Sequence, residues 1–151
     1  MATSSQTDIL CASCPDSLLH LPARPRIVVV DDSPELLEVV CAVLQSEYEL
    51  DVIGQAGDGR GALDLVAMLR PDLVIMDVHM PQMDGLVAAS VISLRYPAVS
   101  VVLMSGDDSP ELRSQACICG AKTFIFKPKF ATDIGDLLCA HRRKIQNSPD
   151  A

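Results

Sequence analysis

The sequence predicts a doubly wound α/β fold, a parallel sheet covered by helices on both faces. Two observations carry this. Apolar runs of strand length, Ile27-Val28-Val29-Val30, Leu73-Val74-Ile75-Met76 and Val101-Val102-Leu103-Met104, lack the polar alternation of a half-solvated sheet and read as strands buried on both sides. Each is followed by a stretch of helical period long enough for a crossover. Composition agrees: Trp is absent and aromatic residues make up only 3%, so the core has to be aliphatic, as in a sheet of Val and Ile under helices.

Residues 1 to about 24 mix Ser, Thr, Pro and Cys without sustained period and read as a flexible N-terminal extension. The domain itself is predicted over 25–146, with 147–151 as a tail. Its first strand, 26–30, leads into Asp31-Asp32. A helix follows from Pro34 to about Glu47, with Leu36, Leu37, Val40, Val43 and Leu44 as its inward stripe and Pro34 suited to its first turn.

A second strand spans Leu50 to Gln55, and Gly57-Asp58-Gly59 reads as a turn. The helix from about Arg60 to Leu69 turns Ala62, Leu63, Val66 and Ala67 inward, before Pro71 closes it. The third strand ends at Asp77, and Met80-Pro81-Gln82-Met83-Asp84-Gly85 breaks regularity behind it. Leu86 to Arg95 forms the third helix, stopped by Pro97.

Val99 to Met104 is the fourth strand, ending at Ser105-Gly106-Asp107-Asp108. Ser109-Pro110-Glu111 caps a helix reaching Cys119, with Gly120 as its stop. Lys122 to Phe126 is the fifth strand, followed by Lys127-Pro128. The last helix runs from about Ala131 to Ile145, buries Ile134, Leu137 and Leu138, and carries Arg142, Arg143 and Lys144 where its dipole favours cations. Five strand-helix units with right-handed crossovers point to the flavodoxin-like order 2-1-3-4-5 with five helices. Met68, Met76 and Met104 read as core filler.

A net charge of -8 argues against nucleic-acid or anionic-membrane surfaces, whose recognition depends on Lys and Arg, and favours proteins or cations as partners. Cysteines 11, 14, 41, 117, 119 and 139 read as free thiols in a reducing cytosol. Cys11-Ala12-Ser13-Cys14 has the spacing of half a zinc site, with nothing to complete a tetrahedron. His20 and His141 have no carboxylate or Cys partner at ligand spacing. No run approaches a membrane span, and the N-terminus lacks the basic and apolar regions of a signal peptide, so a cytoplasmic protein is expected.

In open α/β sheets ligands bind outside the carboxyl ends of the strands. There the first strand delivers Asp31 and Asp32, the third Asp77, the fourth Ser105 and the fifth Lys127. Carboxylates about 4 Å apart in a partly buried site repel by about 4 kcal/mol per pair, so their convergence calls for a cation. Oxygen ligands with room for water suit Mg²⁺ or Mn²⁺ better than Zn²⁺. A metal-held carboxylate can also be a nucleophile toward phosphorus. Singly, each feature has a plain explanation: an acidic helix cap at Asp31-Asp32, an ordinary turn at Met80 to Gly85, a loop at Ser105-Gly106, a solvated strand end at Lys127. Their joint arrival at one sheet edge does not.

From about Arg26 to His141 the chain resembles the receiver domain of two-component response regulators. The resemblance rests on Asp31-Asp32, on Asp77 leading into Met80-Pro81-x-Met83-Asp84-Gly85, on Ser105 and on Lys127-Pro128. It implies that Asp77 is the phospho-acceptor and that Asp32, Asp77 and the His79 backbone carbonyl hold Mg²⁺ directly, with Asp31 assisting through water. Ser105 would be the switch hydroxyl and Lys127 the phosphate partner. Phe124 falls where the family keeps an aromatic that turns inward on activation. His79 and Asp107 occupy positions that tune the lifetime of the phosphoryl group, and the Lys127-Pro128 bond is expected to be cis.

The function so implied is a switch, not an enzyme. It accepts a phosphoryl group from a sensor histidine kinase or a histidine phosphotransfer protein and remodels the face of the last helix, last strand and preceding helix toward a downstream protein. A monomer or a phosphorylation-dependent dimer fits, with no direct nucleic-acid or membrane contact. With 24 residues after Lys127 no output domain is expected, which leaves a stand-alone receiver or the receiver of a DNA-binding transcriptional regulator whose output domain is absent. Two rivals remain. A haloacid-dehalogenase-like phosphatase would need an Asp-x-Asp motif after the first strand, and a phosphorylation-independent binding module would have no use for the intact acids, hydroxyl and Lys.

Overall fold

The structure, a computed structural model, describes residues 21–146. The expectations for Cys11, Cys14, His20 and the 147–151 tail lie outside the described residues, as do the side chains of Cys139, His141, Arg142, Arg143 and Lys144.

Five strands form one parallel sheet: β1 (Arg26–Val30), β2 (Asp51–Ala56), β3 (Leu73–Asp77), β4 (Ser100–Ser105) and β5 (Thr123–Phe126). Their order is β2-β1-β3-β4-β5, the flavodoxin-like arrangement. The intervening helices are α1 (Pro34–Ala42), α2 (Gly59–Leu69), α3 (Gly85–Arg95), α4 (Pro110–Ile118) and α5 (Phe130–Gln146).

Strand residues alternate between two cores. Val28, Val30, Val74, Met76, Val101 and Leu103 face one side with Ala62, Val66, Ala88, Ile92, Leu112 and Ala116 from α2, α3 and α4. Ile27, Val29, Leu73, Ile75, Val102 and Met104 face the other with Val40 from α1, Leu44 from the turn that continues it, and Ile134, Leu137 and Leu138 from α5. Both faces being covered, the middle positions of β1, β3 and β4 are all apolar, and the acids and Ser105 come where these strands emerge at their carboxyl ends.

Helix starts follow the capping chemistry of the sequence. Ser33, Asp58, Asp84 and Ser109 each accept a backbone N–H from the first turn of α1, α2, α3 and α4. Asp58 is thus a cap rather than the middle of a turn, and α2 begins at Gly59. Gly120, with φ of +93°, ends the α4 region in a left-handed conformation that an L side chain resists.

Several expectations are corrected. The helix expected to reach Glu47 widens after Ala42 into a π turn over Val43–Glu47, where the Ser46 hydroxyl donates to the Ala42 carbonyl at 2.6 Å and competes with the helical ladder. Met68 is 74% exposed and not core, because it lies two residues beyond buried Val66, about 200° around the helix. Ala67 is also exposed. Leu21, inside the stretch read as an extension, is buried in the α1/α5 core, and the Arg24 guanidinium donates to the Glu49 carbonyl.

The Lys127–Pro128 peptide is not cis; no cis bond occurs among the described residues. Pro128 sits in a 3-10 turn, Lys127–Lys129, that feeds directly into α5, and its φ suits a helical first turn.

Candidate functional site

The carboxyl edge of the sheet is built by β1, β3, β4 and β5. Asp31 immediately follows β1 and is almost fully buried. Its N–H donates to the Ala56 carbonyl, and its Oδ1 accepts from the Ser33 N–H at 2.9 Å, so the turn into α1 fixes the carboxylate. Asp32, next in the chain, is exposed. Asp77 is the last residue of β3 and is 3% exposed.

Behind Asp77 the chain is held tightly. Val78 N–H donates to the Met104 carbonyl, and Gly85 N–H donates back to the Val78 carbonyl at 2.7 Å. A Cβ on Gly85 would run into the Asp77 carbonyl oxygen and Val78 Cα, so only glycine lets α3 start this close to the acid. Gln82 takes a φ of +68° at the tip of the loop.

Oxygens of Asp31, Asp32 and Asp77 lie within 4.8 Å of one another. Lys127, following β5, places its ammonium 3.0 Å from Asp31 Oδ2 and 3.1 Å from Asp77 Oδ2. The Asp31 contact is an ion pair without hydrogen-bond alignment, since this wholly buried oxygen has no hydrogen-bond partner. One cation against three acids leaves an excess of negative charge. An all-oxygen donor set containing a buried, unsatisfied oxygen is one that a hard divalent cation fits.

Burial is the largest influence on Asp77 and pushes its carboxyl above the ordinary range. Lys127 pulls it down, Asp31 pushes it up, and the His79 backbone N–H, bonded to the carboxylate, pulls it down, without reversing the outcome. For Lys127 burial works to lower the value, but the adjacent carboxylates of Asp31 and Asp77 outweigh it and hold the ammonium above its usual range.

Ser105, the last residue of β4, is fully buried at the same edge, paired in register with Phe126. Its Oγ accepts from the Asp107 N–H at 3.0 Å. The side chains of His79 and Asp107 are exposed. Phe124 is already 3% exposed and packs in the α2/α3/α4 core. The sequence reading missed Arg113, whose guanidinium covers the Phe124 ring and pairs with Asp108. No spacing could have signalled it, because α4 and β5 bring these residues together only across the packed layer.

Residues 27–138 match the family profile of the response regulator receiver domain. The chain belongs to this family. The receiver is 40% identical over 111 residues to a protein-glutamate methylesterase/protein-glutamine glutaminase of Pyrococcus abyssi, covering 72% of this chain and 30% of that protein. It is 39% identical over 127 residues to a "Probable transcriptional regulatory protein NarL" of Mycobacterium tuberculosis, covering 82% of this chain and 58% of that protein. The solved signal receiver domain of that species' NarL superposes with a TM-score of 0.73 at 33% identity, covering 80% of this chain and 98% of the other. A CheX-CheY-BeF3-Mg+2 complex from Borrelia burgdorferi contains a chain 28% identical, with a TM-score of 0.71, covering 76% of this receiver and 87% of that chain. The receiver thus spans under a third of the methylesterase and little over half of NarL.

Proposed function

We propose that this receiver is a phosphorylation-controlled switch in which Asp77 is the acceptor. The observation that carries the reading is the convergence of Asp31, Asp32 and Asp77 within 4.8 Å beside one buried ammonium. Asp77 is the acid that ends a central strand and shares Lys127, so a new phosphoryl group on it would meet a cation already in place.

In this mechanism an Asp77 carboxylate oxygen attacks the phosphorus of a phosphohistidine on a sensor kinase or phosphotransfer protein. The P–N bond breaks, its electron pair returns to the imidazole, and the ring takes up a proton. Asp31, Asp32, Asp77 and the His79 backbone carbonyl would hold Mg²⁺ or Mn²⁺, which when bound supplies charge neutralisation for the phosphoryl oxygens. Lys127 pairs with a second oxygen, and Ser105 with a third. His79 and Asp107, exposed at the rim, tune the access of water to the phosphoryl group.

Downstream, Ser105 and Phe124 relay the change to the face made by α4, β5 and α5. A groove of about 210 Å³ there is lined by Arg113, Phe124, Asp133, Asp136 and Leu137, among others. A partner protein, or a second receiver in a phosphorylation-dependent dimer, would read that face. No described helix is long and apolar enough to cross a membrane, and we place the switch in the cytoplasm with its phosphodonor. The chain's own role is signalling rather than substrate turnover.

The similarity to NarL favours a second reading, in which the receiver serves a DNA-binding transcriptional regulator. The coding sequence beyond Ala151 separates the two. Acetyl phosphate with Mg²⁺, or a cognate kinase, should add one phosphoryl group to Asp77, seen as a mass shift absent from Asp77→Asn. If neither donor modifies the protein, the reading is wrong.

A further inference from the structure

The segment after Ser105 is folded onto itself. Asp107 N–H donates to Ser105 Oγ at 3.0 Å, Ser109 N–H to Asp107 Oδ1 at 3.0 Å, and Leu112 N–H to Ser109 Oγ at 3.2 Å. Short side-chain-to-backbone bonds of this kind fix the local shape of a loop. At its far end Asp108 Oδ1 lies 2.6 Å from both Nε and Nη2 of Arg113. The Arg113 guanidinium carbon lies 4.9 Å from the centroid of the Phe124 ring, which is buried beneath it.

A displacement of the Ser105 hydroxyl therefore either breaks its bond to the Asp107 N–H or draws Asp107, and Asp108 next to it, along. The guanidinium has then to follow Asp108 off the ring, stay with the ring and release Asp108, or move together with Phe124. Each route breaks or transfers an interaction.

We propose that Arg113 is a positioning residue for Ser105, a clamp that ties the β4–α4 loop to Phe124 and holds the hydroxyl in its unphosphorylated place. The inference rests on the assignment of Asp77 as acceptor and Ser105 as switch hydroxyl. It adds a residue of this chain through which the two halves of the switch are coupled. Loss of the clamp should favour the activated arrangement.

The test has two arms on the full chain. In the first, beryllofluoride with Mg²⁺ is titrated into wild type, Arg113→Ala, Asp108→Asn and the double variant. Exposed ion pairs and cation–π contacts are each modest, so either single change should tighten binding by about three- to ten-fold, and the double variant should gain little more than either alone. Arg113→Lys, which keeps the charge but not the planar fork, should tighten binding less than Arg113→Ala and fall between that variant and wild type.

In the second arm, ring-labelled phenylalanine is followed by NMR without ligand; with three Phe in the chain the Phe124 signal is assignable by substitution. Asp108→Asn should shift that ring's resonances, because release of Arg113 alters the charge above it. A silent Phe124 signal in Asp108→Asn, or unchanged or additive beryllofluoride affinities, overturns the clamp while leaving the acceptor assignment standing. If wild type binds no beryllofluoride with Mg²⁺, the switch assignment itself falls and the clamp falls with it.

Discussion

Replacing Asp77 by Asn should make the metal-free protein more stable, even though it removes one partner of an ion pair. The buried Asp31 carboxylate, within 4.8 Å, repels that of Asp77 by about 3.5 kcal/mol at an effective dielectric of about 20, while the exposed Asp32 is screened by water and adds little. Against this, the ammonium of Lys127 at 3.1 Å attracts it by about 5 kcal/mol on the same scale. These two charges together favour the ionised form by about 1.5 kcal/mol, so what neutralisation removes is the larger cost of burying the Asp77 charge. Lys127 retains Asp31. With a net gain of about 1 kcal/mol, the midpoint of a domain of this size should rise by about 2–6 °C in a thermal melt with EDTA at neutral pH.

The pH dependence follows from the same carboxyl. Burial raises its value above the unfolded one, so the folded state prefers it protonated. That contribution is complete below the ordinary carboxyl range and is lost as pH rises through the raised value. The advantage of Asp77→Asn should thus be full at neutral pH and shrink as the medium is acidified through that value. Mg²⁺ should stabilise wild type and leave the variant much less affected, closing the gap from the other side. A variant less stable than wild type in EDTA at neutral pH would refute the argument from the buried charge.

Other substitutions probe the same edge. Lys127→Met should destabilise by about 3–5 kcal/mol in urea melts, because it strands the buried Asp31 and Asp77 charges. Since those acids hold the ammonium above its usual range, the wild-type contribution is fully present below the ordinary lysine range and should fade only as pH climbs through the raised value. Gly85→Ala, which in a free helix would help, should here cost about 1–3 kcal/mol in the same melts through its collision with the Asp77 carbonyl, and should weaken Mg²⁺ binding. Gln82→Gly should stabilise by about 1 kcal/mol by relieving the left-handed φ of +68°, measured by the shift in urea midpoint.

Strand and helix identity were legible because the physics is local. Uninterrupted runs such as Val28 to Val30 and Leu73 to Met76 suit only a strand covered twice, and Pro34 and Ser109-Pro110 mark helix starts through the chemistry of the first turn, whereas the cap at Asp84 was read as part of a turn. The gathering of Asp31, Asp32, Asp77, Ser105 and Lys127 at one edge was equally legible, since parallel strands bring their carboxyl ends to the same side. Met68 was misread because an isolated apolar residue on a helix looks the same facing in or out until the packing side is known. The Lys127–Pro128 expectation came from resemblance, and the local turn into α5 prevails over it.

The sequence by itself thus determined the order of elements, the two-sided burial of the strands and the identity of the acids and the lysine at their ends, because each depends on neighbours a few positions apart. Only the tertiary structure decided that Asp31 and Asp77 share one ammonium, that Asp31 keeps a buried oxygen without a hydrogen bond, and that Arg113 reaches from α4 to clasp Asp108 while covering Phe124. Apart from the Asp108–Arg113 pair, those relations join residues far apart in the chain. Distances of a few ångströms between them exist only once the helices have packed against the sheet.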